Sequence, residues 1–408
     1  MKKYILIILC CLTSFPLWSY NVNMIVEHYS VDQGLPNNTV NCTLKDRDGF
    51  IWFGTWYGLC CFDGVKFKTF NKQEHDSDVP PRKIQRIVED KNGYIWVKTI
   101  DRKLYVFNKV TECFHAVYDD MKNYSENIQV IKLQNTAEGD VLLLTKDKNL
   151  LLAGVDEKGQ VTIKILFDSR DEINKHDYTL KHHVLCETEE YISWIGTDYK
   201  VSAVHKGAEL ASRPADFITS KINSGDKDSF TSFFEDGRKV WVGDRAGIFY
   251  SIDVRTGLVN RYVLSEIKGA ISNLLVTPAG YVYLSVAGQG TYEYDLAERR
   301  LQKINTEMND AMVTHAFIDQ YDKIWFHENE KALIYYDPLN HTAKRFPFTM
   351  FGKITTLYSE DAGERGLFFL SPAGEAWLFD REHVEMVYIN KLKQLSNDRA
   401  NQQFYHLM

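Results

Sequence analysis

One pattern recurs along most of the chain and sets what it can fold into: alternating apolar residues, Asp or Asn with Gly, an apolar-Trp-apolar triplet, a short polar gap, then an aromatic pair ending in Asp or Asn. The clearest copy is Asp46-Arg47-Asp48-Gly49-Phe50-Ile51-Trp52-Phe53-Gly54-Thr55, continuing through Gly58-Leu59 to Phe62-Asp63. Asp90-Lys91-Asn92-Gly93-Tyr94-Ile95-Trp96-Val97 repeats it, and further copies centre on Trp194, Trp241, Tyr283 and Trp325, with degenerate ones at Leu142 and Phe368. Successive centres lie 42 to 52 residues apart, the length of one blade of a β-propeller. Helical repeats of similar period exist, but each unit here holds four short runs of β-branched and aromatic residues between polar or Gly turns, as at 84–88, 94–98, 104–107 and 113–117. Four strands per unit make an antiparallel blade, and radial blades leave few exposed edges.

The expected fold is therefore all-β, a propeller of four-stranded antiparallel blades. Seven blades over 21–350 are expected first, fastened by an extra strand at 25–31, with an additional blade-like unit over 351–390. That unit is either an eighth blade or the start of a second propeller, and a complete eight-bladed ring is the alternative. Residues 391–408 form a polar tail. Within each unit the Asp-x-x-Gly stretch reads as a hairpin turn, Gly supplying positive φ and the Asp carboxylate capping local amides. The Trp on the following strand alternates with apolar neighbours, which assigns it to packing between blades rather than to sugar stacking.

Ahead of the repeats, MKKYILIILCCLTSFPLWSY puts two lysines before an apolar run, the form of a secretory signal peptide over 1–20. The run is too short to span a bilayer, and no later window approaches the roughly 20 apolar residues a span needs. A periplasmic location follows. The formal charge of −7 and the lack of a basic block argue against nucleic acid as a partner. Beyond the leader, Cys42, Cys60, Cys61, Cys113 and Cys186 are odd in number and irregular in spacing, which suits small buried hydrophobes better than a disulfide framework.

The opening Gly34-Leu35-Pro36-Asn37-Asn38-Thr39-Val40, followed by Asp48-Gly49-Phe50-Ile51-Trp52-Phe53-Gly54-Thr55 and Gly58-Leu59, resembles the two-component regulator propeller repeat. The resemblance extends over the mature chain, with the third and eighth units departing from it. It implies the periplasmic sensor region of a Bacteroidetes hybrid two-component system, detecting an oligosaccharide to control polysaccharide-utilisation genes. No kinase helix, nucleotide-binding Gly-rich segment or membrane helix follows, so the chain is expected to lack the kinase part and to be non-catalytic. A propeller enzyme acting on polysaccharide and a stand-alone interaction scaffold, dimerising through the flat side of the ring, are the competing expectations.

No catalytic or metal-binding constellation stands out, and no cofactor is expected. His182 and His183 are adjacent in a strand-like stretch and point to opposite faces. The acidic residues fall mostly in repeating turns. Ligand binding is expected on the ring face that carries the turns between second and third strands. Its candidates are Trp56, Tyr57, Arg102, Tyr199, Arg245, Gln289 and Asn329. Aromatic faces beside charged or amide groups suit a sugar, or equally a partner protein, and Trp56 is the most distinctive because a loop Trp leaves apolar surface to cover.

Overall fold

In a computed structural model the eight repeats are eight four-stranded sheets, each built from four strands consecutive in the chain and antiparallel throughout, the blades of a β-propeller. The structure describes residues 29–70, 81–121, 129–146, 149–167, 185–188, 190–195, 200–207, 217–221, 230–304, 313–329, 331–351, 358–361, 367–371 and 375–391. The leader over 1–20, the expected strand over 25–31 as far as residue 28, His182, His183, Tyr199 and residues 392–408 lie outside these; residues 29–31 of that expected strand are not strand but lead into a helical turn at Val31–Gln33. Blades 1 to 8 occupy 40–70, 84–116, 130–167, 185–221, 230–263, 271–303, 313–347 and 358–391. The additional unit expected over 351–390 is thus a sheet of the same kind as the others. Among the described residues, helix is limited to single turns at Val31–Gln33, Tyr118–Met121 and Phe348–Phe351, and no helix is long and apolar enough to cross a membrane.

First strands of neighbouring blades approach one another most closely, Val40–Lys45 against Ile84–Glu89 and Phe230–Glu235 against Ile271–Val276. They face the common axis, and fourth strands form the rim. Six of the Trp-equivalent side chains, Trp52, Trp96, Leu142, Trp241, Tyr283 and Trp325, pack against the next blade, as expected. Trp52 lies with Ile84, Ile95 and Phe107 of blade 2, and Trp96 with Leu133, Val141 and Leu143 of blade 3. Trp241 packs on blade 6, Tyr283 on blade 7 and Trp325 on blade 8. Trp96 and Trp325 are fully buried, and burial on this scale contributes several kcal/mol per side chain, roughly 25 cal/mol per Å² of apolar surface.

The turn aspartates do more than cap. One carboxylate oxygen of Asp46 accepts from Asp48 N and Phe50 N, while the other accepts from Trp52 Nε1 at 2.8 Å. Asp90 does the same for Trp96 at 2.9 Å, Asp236 for Trp241 at 2.7 Å and Asp319 for Trp325 at 3.2 Å. A buried indole N–H needs an acceptor, and the hairpin turn of the same blade supplies it. Where the Trp is absent the Asp is absent too. Thr136 closes the turn beneath Leu142, which has nothing to donate. In blade 6, Thr277 closes the turn and Tyr283 donates instead to the buried Glu293 at 2.8 Å.

The GLPNN stretch braces the outer face of blade 1. Ser30 and Gln33 form a capping box around Val31–Gln33, and Gly34 ends that turn at φ 105°, where a side chain would be strained. Leu35 then buries itself against Phe53, Cys60 and Phe62, with the Tyr29 ring tilted against Phe62 at a centroid distance of 4.8 Å. Asn37 and Asn38 accept from Thr39 N and Val31 N. Cys42 and Cys60 are buried, Cys61 and Cys113 half-buried, and all four are free thiols; burial pushes Cys42 and Cys60 up to about 12.

Close approach of first strands depends on small residues at the end of the second strand. A Cβ added to Gly243 would press on Ser232 Oγ and come within 2.7 Å of Ile271 Cγ2 in the next blade. Gly243→Ala should therefore lower stability by about 1–3 kcal/mol through overpacking, measured by urea unfolding. A cost under a few tenths of a kcal/mol would show that the blade 5–6 seam can open without penalty.

Candidate functional site

Turns between second and third strands share one face of the propeller with the connections between blades, as the up-and-down order of each sheet requires. All six described candidates lie in these turns. Trp56 and Tyr57 project from the blade 1 turn and are 42% and 61% exposed. The Trp56 carbonyl accepts from Lys83 N at 2.9 Å, and the Lys83 ammonium sits 5.2 Å from the centre of the indole, a cation–π contact. Lys83 in turn passes its carbonyl to Ile100 N in the blade 2 turn. There Arg102 adopts φ 67° and its carbonyl accepts from Val130 N at the start of blade 3. Hydrogen bonds thus stitch Trp56, Lys83 and Arg102 into one continuous rim across blades 1 to 3.

Arg245, Gln289 and Asn329 occupy the corresponding turns of blades 5, 6 and 7. Arg245 and Asn329 are exposed. Gln289 is half-buried and its amide is taken up locally: Oε1 accepts from Lys268 N at 2.7 Å and Nε2 donates to the Glu266 carbonyl at 3.0 Å. It clamps the connection between blades 5 and 6.

Sequence reasoning passed over the axial mouth of this same face. Near the start of the first strand, blades 1, 2, 5, 6 and 7 carry a β-bulge, at Asn41, Gln85, Thr231, Ser272 and Thr314. Ile131 takes this place in blade 3. Bulges re-aim side chains and are enriched next to functional sites. Here they also tie blades together: Asn41 Nδ2 donates to the Ile84 carbonyl and Thr231 Oγ1 to the Ile271 carbonyl, both at 2.7 Å. The signal was in the sequence, as a polar residue 10 or 11 positions before each Trp-equivalent centre in these five blades.

The residue after each bulge faces the end of the second strand in register. This pairs Cys42 with Gly54, Arg86 with Lys98, Ser232 with Gly243, Asn273 with Ser285 and His315 with His327. Burial, with His315 nearby, pulls the His327 imidazole below its ordinary range. Burial likewise lowers the Lys98 amine, with Arg102 and Arg86 adding to the effect.

On the opposite face Asp46, Asp48 and Glu89 bring three carboxylates within 4.8 Å of one another. The Lys109 ammonium already fills the space between them, at 3.1, 3.0 and 2.8 Å. Arg47 reaches Glu89 from outside at 3.1 Å. This cluster joins blades 1 and 2 and is accounted for by packing.

Eight four-stranded blades, braced at the N-terminal side by the GLPNN stretch and presenting an exposed Trp56–Tyr57 turn on one face, define a β-propeller. Residues 34–57 match the model of the two component regulator propeller, so the chain carries that repeat from the brace through to the Trp56–Tyr57 turn. No curated protein matches the sequence. Among solved structures, the chain is similar to an extracellular domain described as that of a hybrid two component system from B. thetaiotaomicron, with 14% identity and a TM-score of 0.40 over 89% of this chain and 62% of that one. A second such domain from the same organism gives 15% identity and a TM-score of 0.37 over 91% and 55%. Virginiamycin B lyase from Staphylococcus aureus gives 10% identity and a TM-score of 0.41 over 73% and 93%. The chain spans about three fifths of the length of the two extracellular domains.

Proposed function

We propose that this chain is a periplasmic ligand-sensing propeller of a hybrid two-component regulator, non-catalytic in itself, which detects an oligosaccharide in order to control polysaccharide-utilisation genes. The observation that carries this is the regulator repeat over 34–57, which ends on an exposed Trp-Tyr turn. Sugars present apolar ring faces and directional hydroxyls, and an indole rim flanked by Lys83, Gln85 and Arg102 offers partners for both. A non-catalytic role is supported by the two buried carboxylates in the described turns of this face. Asp244 accepts from Ala246 N and Ile248 N, and Glu328 is held by Arg345 at 3.0 Å. Both are held by groups of their own blades.

The test is a thermal-shift titration of the exported chain against plant, host and microbial oligosaccharides, since a ligand that binds only the folded state raises its melting temperature. Trp56→Ala should weaken binding of a responding oligosaccharide about tenfold, the order of a lost stacking contact. It should change stability by less than about 0.5 kcal/mol, because the residue is exposed. An affinity equal to wild type would remove Trp56 from the site.

A further inference from the structure

We infer that the mouth between blades 2 and 3 is an anion site in which Arg86, Lys98 and Arg102 recognise the carboxylate or sulfate of an acidic oligosaccharide. The inference deepens the sensing function proposed above and rests on it. Arg86 and Lys98 lie directly opposite each other on neighbouring strands, an arrangement in which like charges repel. In blades 1 and 5 the position of Lys98 is a glycine, and in blade 6 it is a serine. Blade 2 alone among these places a long cation in the blade seam. Only 7% of Lys98 is exposed, and its ammonium donates to the neutral carbonyl of Ile131 in blade 3.

Several partly buried cations elsewhere among the described residues are matched by carboxylates, Lys164 being an exception whose ammonium donates to the Lys206 carbonyl at 3.0 Å. Lys109 meets three carboxylates, Lys206 meets Glu138 and Glu187, Lys323 meets Asp337 and Arg345 meets Glu328. Arg86, Lys98 and Arg102 meet none among the described residues. The carboxylate of the same turn, Asp101, is engaged by the Thr99 hydroxyl at 2.5 Å and by Lys103 at 3.4 Å. Burying an ammonium is costly without an anion, and this chain has an excess of acidic residues with which it could have supplied one. Guanidinium groups suit the planar, two-oxygen geometry of carboxylate and sulfate. Trp56, linked to the same rim through Lys83, offers the apolar surface on which a sugar ring stacks.

The experiment titrates the chain with trigalacturonate, a sulfated chondroitin disaccharide, neutral galactotriose, and inorganic sulfate against sodium chloride of equal ionic strength. Melting temperature and calorimetric affinity are read for wild type, Arg86→Gln, Arg102→Gln and Lys98→Met. The expected result is saturable binding of an acidic saccharide that galactotriose does not reproduce, weakened about tenfold by each Arg variant, the order of one charge-assisted hydrogen bond. Lys98→Met should abolish the response while the free protein melts no lower than wild type, because it removes a buried, like-charge-opposed ammonium. Binding of galactotriose without the acidic saccharides, or acidic binding indifferent to all three variants, would overturn the anion site and leave oligosaccharide sensing standing. A response to sulfate alone, lost in the variants, would keep the anion site and overturn the saccharide. No response to any of the four would overturn both.

Discussion

Replacement of Trp325 by alanine should lower the free energy of unfolding by about 3–5 kcal/mol, the range for deleting a buried aromatic in a core that cannot collapse around it. Trp325 is fully buried and its ring touches Phe369 and Phe379 of blade 8 at centroid distances of 5.2 and 4.6 Å, as well as Tyr335 of its own blade at 5.2 Å. The deletion empties the seam between blades 7 and 8. Trp325→Phe should keep most of the apolar contact yet still cost about 1–3 kcal/mol, because Asp319, 6% exposed, loses the indole N–H it accepts from. Urea unfolding of the two variants separates the contributions. A loss below about 1 kcal/mol for Trp325→Ala would mean that the blade 7–8 seam contributes little to the fold.

Lys109→Met should cost about 3 kcal/mol at neutral pH, since it leaves Asp46, whose side chain is wholly buried, beside Asp48 and Glu89 with no cation between them. In the wild type, burial pushes the Asp46 carboxyl up, but hydrogen bonds from Trp52 and Lys109 outweigh this and hold it below the usual range. Burial also opposes the Lys109 charge, yet the hydrogen bonds that its ammonium donates to Glu89, Asp48 and Asp46 raise it above the ordinary amine value. A depressed carboxylate stabilises the fold above its unfolded pKa and ceases to do so as pH falls through the folded one. A raised amine stabilises below its unfolded pKa and ceases to do so as pH rises through the folded one. The cluster is therefore at full strength between about pH 4 and pH 10. Without Lys109 the carboxylates repel, and protonating one of them relieves the strain, so the gap between variant and wild type should narrow below about pH 5. A gap that is flat from pH 4.5 to 8, followed by urea titration at each pH, would show that Lys109 acts through its aliphatic stem alone.

Much of this architecture could be read from the sequence because it repeats. The Trp-centred period, the four strands per unit and the packing of Trp52, Trp96 and Trp241 between blades all follow from alternation and spacing. The turn Asp was legible as a cap, since its amide partners lie within four residues. Its bond to the indole was not, because that partner sits on the next strand and meets the carboxylate only once the hairpin has folded. Among the site residues, Trp56 and Tyr57 are exposed in the expected turn, whereas the amide of Gln289 is engaged by backbone 21 to 23 residues upstream in the preceding connection, a contact its sequence position does not show. Lys98 looks unremarkable within Ile95-Trp96-Val97-Lys98-Thr99, where the clearest copy reads Ile51-Trp52-Phe53-Gly54-Thr55. Only the register, with Arg86 opposite and blade 3 closing over it, turns a lysine in a glycine's place into a charge in need of a counterion.

The bond between each turn Asp and its own blade's Trp constrains how such repeats can diverge after duplication. A copy that loses its Trp while keeping the Asp strands a carboxylate, and one that loses the Asp first must find the indole another acceptor. Blades 3 and 6 have each changed both positions, to Thr136 with Leu142 and Thr277 with Tyr283, and blade 4 stands between, with Thr188 at its turn and Trp194 still on its strand. The Asp–Trp pair stands in blades 1, 2, 5 and 7, and blade 4 shows the aromatic residue without the acid.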